Sequence, residues 1–405
     1  GGRHWLLPHK ERAERVARRR ELLRAAAVTT AVAKGAVRRG VSGALSEDAV
    51  ASPAPPAPSM PALPRVRLEA QSQPTSESLD SGGALLAKPV SKIAGYLFSR
   101  LIGRGSFGHV RLATHNLSGC RVAIKITPKS ALSSARLRHR AEMEWRLQAW
   151  LDHPNIAKVV HVAEDNAHHF IVQEYVQGGS LAHYLEMRHG HVPETDAASI
   201  LKQAAAALVY CHAHDVFHRD VKLDNVLLDY WGRCKLTDFG LAVRSRGAKL
   251  TMPCGSLLYN SPEIIRGVPY DGGAADVWAF GVMAFALTTG VFPFEASNLQ
   301  LLRQRVGRGR FMLNEKSVSV ELASMLKAAL VVEPSERPTM SQLLSHAWFL
   351  KFADPALKIA GVAGRSTLEV PSAIFAPAVS KLVETGEVTA EAVEAAVTGT
   401  VDDPY

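Results

Sequence analysis

The chain has 405 residues, of which 47% are apolar and 21% charged, enough for one large bilobal domain with tails or for two or three smaller ones around filled cores. Its four cysteines, Cys120, Cys211, Cys234 and Cys254, stand far apart with no CxxC pair. That argues against a disulfide framework or a zinc site, and for the reducing cytoplasm or the nucleus. The formal net charge of +9 sits almost wholly in residues 1–40, where eleven Lys or Arg face three Glu for a net of +8, so it predicts no specific nucleic-acid partner for the rest.

In chain order, residues 1–40 form a basic arm that is densest at Arg18-Arg19-Arg20. Three roles compete for it: a solvated tail, contact with an anionic surface or the nuclear-import machinery, and an organelle presequence, the last opposed by Glu11, Glu14 and Glu21. Residues 41–94 are rich in Ala, Pro and Ser, as in Ser52-Pro53-Ala54-Pro55-Pro56. Such a stretch buries too little apolar surface to offset chain entropy, which predicts a disordered linker.

At Tyr96 the pattern changes. Short β-branched runs at 101–102, 109–113, 121–127, 157–163 and 169–175 predict strands of one sheet, broken by a single helix over 134–151. After a hinge near Val176-Gln177-Gly178-Gly179 the periodicity turns helical, at 197–212, 275–288 and 320–329. The expected fold is therefore α+β, with a small β-rich lobe over 95–176 and a larger helical lobe over 177–350. The apolar stretch 274–294 is long enough to suggest a membrane span, but Asp276 and its Thr-Thr-Gly ending favour a buried core helix, and no transmembrane segment is predicted.

Ile102-Gly103-Arg104-Gly105-Ser106-Phe107-Gly108-His109-Val110 places glycines where backbone amides could approach phosphate oxygens without a Cβ in the way. A strand follows it, not the helix that a dinucleotide fingerprint needs. Next, Val122-Ala123-Ile124-Lys125 puts an ammonium in an apolar strand, where it needs an anion. Leu137, Ala141, Leu147 and Leu151 form one helical stripe that includes Glu144, while Glu142 lies roughly 200° around the helix. Glu144 is therefore the expected partner of Lys125.

His218-Arg219-Asp220-Val221-Lys222-Leu223-Asp224-Asn225, followed by Thr237-Asp238-Phe239-Gly240, completes a motif set that resembles the eukaryotic-type protein kinases over residues 95–350. The resemblance implies the bilobal protein-kinase fold and transfer of the γ-phosphoryl group of Mg-ATP to protein hydroxyls. It implies that Asp220 accepts the hydroxyl proton, that Lys222 neutralises the transferring phosphoryl group, and that Asn225 and Asp238 hold Mg²⁺. The nucleotide would meet Ile102, Gly103, Arg104, Gly105, Ser106, Phe107, Gly108, Val110, Ala123, Lys125 and Leu227. Its adenine would bond to the backbone of Glu174 and Val176, with Gln173 as gatekeeper. Ser261-Pro262-Glu263 and Arg337 match the family's buried ion pair, and Asp276-Val277-Trp278 the start of its central helix, which settles the apolar stretch as core.

Lys222, two residues after Asp220, and Ser256, at a position that contacts the catalytic loop, imply Ser/Thr specificity. Cys254-Gly255-Ser256 and the ending at Phe349 look most like the calcium/calmodulin-dependent and AMP-activated kinase group, although Leu223 and Leu257 replace two of that group's usual residues. Relatives switched on by an upstream kinase carry Thr two residues before this Cys. Here Met252 stands there and Thr251 precedes it, so the expectation is either phosphorylation of Thr251 in a shifted register, read by Arg219, or activity without the mark. Asp224 suggests a preference for basic residues upstream of the target. Residues 351–405 resemble a truncated ubiquitin-associated-like regulatory segment, with a poorly ordered tail as the alternative. The rival to an active enzyme is a pseudokinase scaffold, opposed by intact Lys125, Glu144, Asp220, Asn225 and Asp238. His168-His169 is read as the start of a core strand and Cys254 as a packed thiol.

Overall fold

In the computed structural model, which describes residues 65–67, 92–93, 95–104, 108–314 and 317–353, the β-branched runs after Tyr96 pair into one sheet. Its strands are β1 (Arg65–Arg67), β2 (Lys92–Ile93), β3 (Tyr96–Arg104), β4 (His109–His115), β5 (Arg121–Pro128), β6 (Val159–Glu164) and β7 (His168–Glu174), in the spatial order β1-β6-β7-β5-β4-β3-β2. β1 runs parallel to β6, whereas β2–β3, β3–β4, β4–β5 and β5–β7 are antiparallel. Directly opposed residues of an antiparallel ladder share a face. Register therefore puts Val110, Lys125 and Ile171 on one face with Leu112, Ala123 and Gln173. The other face carries Ala113, Val122, Ile124, Ile126, Phe170 and Val172, which pack with Ile93, Tyr96 and Ala163 as this unit's core.

The strand positions follow the sequence pattern, and His168-His169 does open a core strand. The linker reading needs amending at two places. Arg65–Arg67 and Lys92–Ile93 lie inside the Ala/Pro/Ser-rich stretch, yet each adds to an edge of the sheet, where unpaired backbone groups of β6 and β3 recruit a partner. Ile93, only 2% exposed, also contributes to the core. The basic arm, residues 41–64, 68–91 and 94 of the linker, and the tail beyond 353 lie outside the described residues.

The chain divides into two compact units: residues 65–131 with Val160–Tyr175, and Leu132–Val159 with residues 176–353. Helix α1 (Ala135–Trp150) starts at Ser134, whose hydroxyl accepts the Leu137 N–H, and Glu142 on its outer face pairs with Arg146 at 2.7 Å. Leu147 and Leu151 of its stripe pack in the same core as Phe239. The helix that the pattern assigns to the β-rich lobe thus belongs, by its packing, to the helical unit.

That unit contains α2 (Leu181–Met187), α3 (Glu194–Ala213), α4 (Pro262–Arg266), α5 (Gly272–Thr289), α6 (Leu299–Arg308), α7 (Val320–Ala329), α8 (Met340–Leu344) and α9 (Ala347–Phe352). Among the described residues α5 alone is long and apolar enough to cross a membrane, but 83% of it is buried inside the protein and it forms the core around which the other helices pack. Asp271 caps its start by accepting the Ala274 N–H, and a Cβ on Gly272 would lie 2.4 Å from the Phe217 ring, so only glycine admits this approach. Elsewhere in the unit the Glu194 carboxylate accepts the Ser319 N–H at 2.7 Å, the Ser319 hydroxyl at 2.5 Å and the Trp348 Nε1–H at 2.9 Å. It thereby joins the first turn of α3 to the N-cap of α7 and to α9.

Candidate active site

Two short antiparallel pairs present the chemistry of the helical unit. β8 (Val216–Phe217) pairs with β11 (Val243–Arg244), and β9 (Val226–Leu228) with β10 (Cys234–Leu236). The loop 218–225 runs from β8 to β9, and Thr237-Asp238-Phe239-Gly240 leaves β10.

The loop is held from below by Asp276, the one charged residue of α5 and only 1% exposed. Its carboxylate accepts the His218 N–H at 2.9 Å and the Arg219 N–H at 2.8 Å, and meets His212 Nε2 at 2.9 Å. Burial alone would raise the Asp276 pKa, but the His212 hydrogen bond, the neighbouring His212 and His218 rings and the Arg219 N–H together hold it below the ordinary value. The fully buried His218 bridges the two motifs. Its Nε2 faces the Thr237 carbonyl at 3.1 Å and its Nδ1 faces the Asp220 N–H at 3.3 Å, which fixes Nε2 as donor and Nδ1 as acceptor. Arg219 and Asp238 both adopt φ of +63°, a left-handed backbone that non-glycine residues rarely keep unless their surroundings impose it.

Asp220 stands at the centre of this scaffold. Its Oδ1 accepts the Ser256 hydroxyl at 2.9 Å, and its Oδ2 accepts Lys222 Nζ at 2.7 Å and Asn225 Nδ2 at 3.2 Å. Lys222 Nζ also reaches Ser256 Oγ at 2.9 Å. Burial would lower the Lys222 pKa, but the charge and hydrogen bond of Asp220, joined by Asp224 and Asp238, outweigh it and raise the value, so the ammonium stays charged beside the carboxylate. Asn225 is 5% exposed and commits its Nδ2 to the Asp220 carbonyl at 2.8 Å, which turns its Oδ1 into an available oxygen ligand. With the Asp238 carboxylate it supplies hard oxygen donors of the kind that Mg²⁺ takes, so the residues fit the ion. Beside them, a Cβ on Gly240 would come within 3.1 Å of Glu144 Oε2 and 3.2 Å of Asp238 Oδ1. Glu144 therefore looks inward on α1 toward the Asp238 turn, on the face expected from its stripe. Val176 is buried and Leu227 half-buried in this same unit.

In the sheet unit, Gly103 pairs with Val110 and Arg104 with His109 across β3 and β4, followed by Val110 against Lys125. Val110, Ala123 and Lys125 thus share the face opposite the sheet's own core. Gly108 has a separate reason to be glycine, since a Cβ there would lie 2.0 Å from the Ile126 carbonyl oxygen. Ile102 is half-buried, and Val122 pairs with Glu174 at the end of β7. Gly105, Ser106 and Phe107 lie outside the described residues.

The segment from Asp238 to Glu263, which the resemblance makes the activation segment, is drawn against the catalytic loop. Gly255, at φ +95°, passes so near that a Cβ would meet the Arg219 carbonyl oxygen at 2.7 Å. Thr251 is exposed and Met252 half-buried. The segment ends on α4, where Glu263 and Arg337 form a buried double pair at 2.7 and 2.8 Å. Arg337 spends its other donors on the carbonyls of Val331, Ala274 and Val332, so all five of its N–H groups are satisfied.

Comparison with known proteins agrees with this geometry. A family model described as the protein kinase domain matches residues 96–349. The chain belongs to the protein kinase family. Among curated proteins, the kinase domain is 38% identical over 271 residues to "Serine/threonine-protein kinase SIK1" of Mus musculus, covering 67% of this chain and 34% of that protein. It is 36% identical over 276 residues to "Serine/threonine-protein kinase SIK3 homolog" of Danio rerio, covering 68% of this chain and 23% of that protein. The matched region thus spans only about a quarter to a third of these relatives. The likeness to the calcium/calmodulin-dependent and AMP-activated kinase group holds, and so does the α+β kinase fold.

Sequence reasoning matched Asp276 to a helix start but did not foresee it as the anchor of the catalytic loop. A lone acid in an otherwise uncharged helix carried that signal, because a buried carboxylate demands donors. Tyr270 was not singled out, and nothing in its local pattern marks it.

Proposed function

We propose that this kinase domain transfers the γ-phosphoryl group of Mg-ATP to Ser or Thr hydroxyls of protein substrates. The observation that carries the reading is the set of bonds converging on Asp220: Ser256 on one oxygen, Lys222 and Asn225 on the other. A carboxylate fixed in this way accepts the proton of an incoming alcohol and aligns its oxygen for attack. Lys222, kept cationic, then faces negative charge as it develops on the transferring group. Asn225 Oδ1 and the Asp238 carboxylate are the residues that would hold magnesium, which when bound neutralises the phosphate charge. From the sheet, Val110, Ala123 and Lys125 offer an apolar surface and a cation to the nucleotide, and Glu144 carries the carboxylate role that the resemblance implies. Ser/Thr over Tyr is supported by Lys222 two residues after Asp220 and by the names of the relatives.

Exposed Asp224, beside Lys222, supports a preference for basic residues upstream of the target. Four free thiols, with Cys211 and Cys234 buried and the latter pushed up to about 12 by burial, suit a reducing cytoplasm or nucleus. The deciding experiment incubates the purified full chain with magnesium and radiolabelled ATP on degenerate peptides, beside Asp220→Asn. Label on Ser and Thr peptides that disappears in the variant is expected. Absence of label on every peptide, or equal label in both proteins, sinks the reading, and preference for acidic flanks removes the role of Asp224.

A further inference from the structure

The activation segment is closely fastened by contacts outside the catalytic loop. Tyr270, 2% exposed, lies between α4 and α5, and its backbone exchanges two hydrogen bonds with Leu250, Tyr270 N–H to Leu250 O and the reverse, both at 2.8 Å. Its ring packs with Leu250, Ile264 and Ala275, with Phe217 and Val243 against them. Those neighbours belong to the activation segment, to the strand that leads into the catalytic loop and to the helix that carries Asp276.

The hydroxyl of Tyr270 has a definite direction. It donates to the Met252 carbonyl at 3.0 Å, so its oxygen accepts from Arg219 Nη1 at a longer 3.4 Å, and Cys254 Sγ lies at 3.8 Å. Burial, reinforced by Cys254 and opposed by Arg219, raises the phenol pKa, so the donor keeps its proton at any physiological pH. Arg219 is at the same time held by its Nε on the Leu241 carbonyl at 2.7 Å and by its N–H on Asp276. A continuous chain of neutral and charge-assisted bonds therefore runs from the anchored catalytic loop to the backbone at Met252, the residue that occupies the position where relatives carry an activating Thr. Bonds linked in series polarise one another, and removing the middle member strands both ends.

We infer that Tyr270 is a positioning residue: its hydroxyl ties the activation segment at Met252 to Arg219, holding Ser256 against Asp220. The inference concerns regulation of the active site proposed above and rests on that reading for its effect on turnover. For the fastening itself it rests only on the contacts.

The test compares the phosphatase-treated full chain with Tyr270→Phe, which keeps the ring and its packing and removes the hydroxyl. Amide hydrogen exchange of residues 249–256 is expected to speed up by about threefold to tenfold, the range of one lost hydrogen bond. Exchange in α3 and α5 should stay unchanged, and kcat on a Ser/Thr peptide should fall with little change in KM for ATP. Unchanged exchange in the segment overturns the inference, as does faster exchange throughout the helical unit, which would make Tyr270 a packing residue only. Faster exchange in the segment with an unchanged kcat also overturns the positioning role. Should the wild-type chain prove inactive on every peptide, the kinase reading fails separately, and the exchange measurement alone still decides whether the hydroxyl fastens the segment.

Discussion

The catalytic loop at 218–225 and the glycine-bearing turn between β3 and β4 are both assigned to phosphate chemistry, and they are built by opposite means. The loop is fixed by buried side chains: Asp276 grips two of its N–H groups from below, and His218 ties it to the Thr237 carbonyl. In its described part, the turn is fixed by backbone alone, through Gly103 opposite Val110, Arg104 opposite His109, and Gly108 pressed against the Ile126 carbonyl. Under the proposed function the difference follows from the task. A carboxylate that must meet one proton needs its position over-determined by groups that cannot relax, whereas a surface that offers amides to phosphate oxygens works best with side chains kept out of the way.

Replacing Asp220 by Asn breaks the first half of this contrast at its centre. Phosphoryl transfer to peptides should fall by about a hundredfold or more, as expected for a lost general base, with the unfolding midpoint nearly unchanged. Arg337→Met tests whether buried charge also holds the wider helical unit. It strands Glu263 without a counter-charge and should lower stability by about 3–5 kcal/mol in urea unfolding. A loss below about 1 kcal/mol would show that the pair contributes little.

The backbone-built turn is probed by Gly108→Ala, which sets a methyl group where the Ile126 carbonyl already stands. A loss of about 1–3 kcal/mol is expected, read as faster hydrogen exchange along β4 and β5 with α5 unaffected. The gentlest test is pH. The Asp276 pKa is held below its ordinary value of 3.8 in the folded chain, so its stabilising contribution is complete above that value and is withdrawn as pH falls through the folded pKa. The stability gap between the wild type and Asp276→Asn should therefore be flat from near neutrality to about pH 5 and narrow on further acidification. A gap that narrows on raising the pH instead would mean that Asp276 is not the charged anchor described above.

Much of the site was legible because its chemistry is local in sequence. Asp220, Lys222 and Asn225 stand within six residues of one another, and their spacing alone brings them together around one carboxylate. Periodicity likewise gave the strands after Tyr96 and the helix at 320–329, because their buried faces repeat at 2 and at 3.6 residues. The pattern failed where partners are distant. Arg65–Arg67 and Lys92–Ile93 become strands because an open sheet edge accepts them, and no local composition announces an edge. The same holds for α1, whose stripe showed that one face would be buried without saying in which unit. Tyr270 illustrates the limit best: its hydroxyl matters because of where Met252 and Arg219 lie, 18 and 51 residues away in the chain.

The three-way grip of Glu194 has a consequence for how the protein is made. Its partners Ser319 and Trp348 are 125 and 154 residues downstream, so on the ribosome this carboxylate waits, hydrated, through the synthesis of nearly the whole helical unit. Only when α9 emerges can all three be joined, and loop closure over such spans is slow. A nascent chain stalled ahead of Trp348 would already hold the catalytic loop and its Asp276 anchor but lack the Trp348 arm of this clasp.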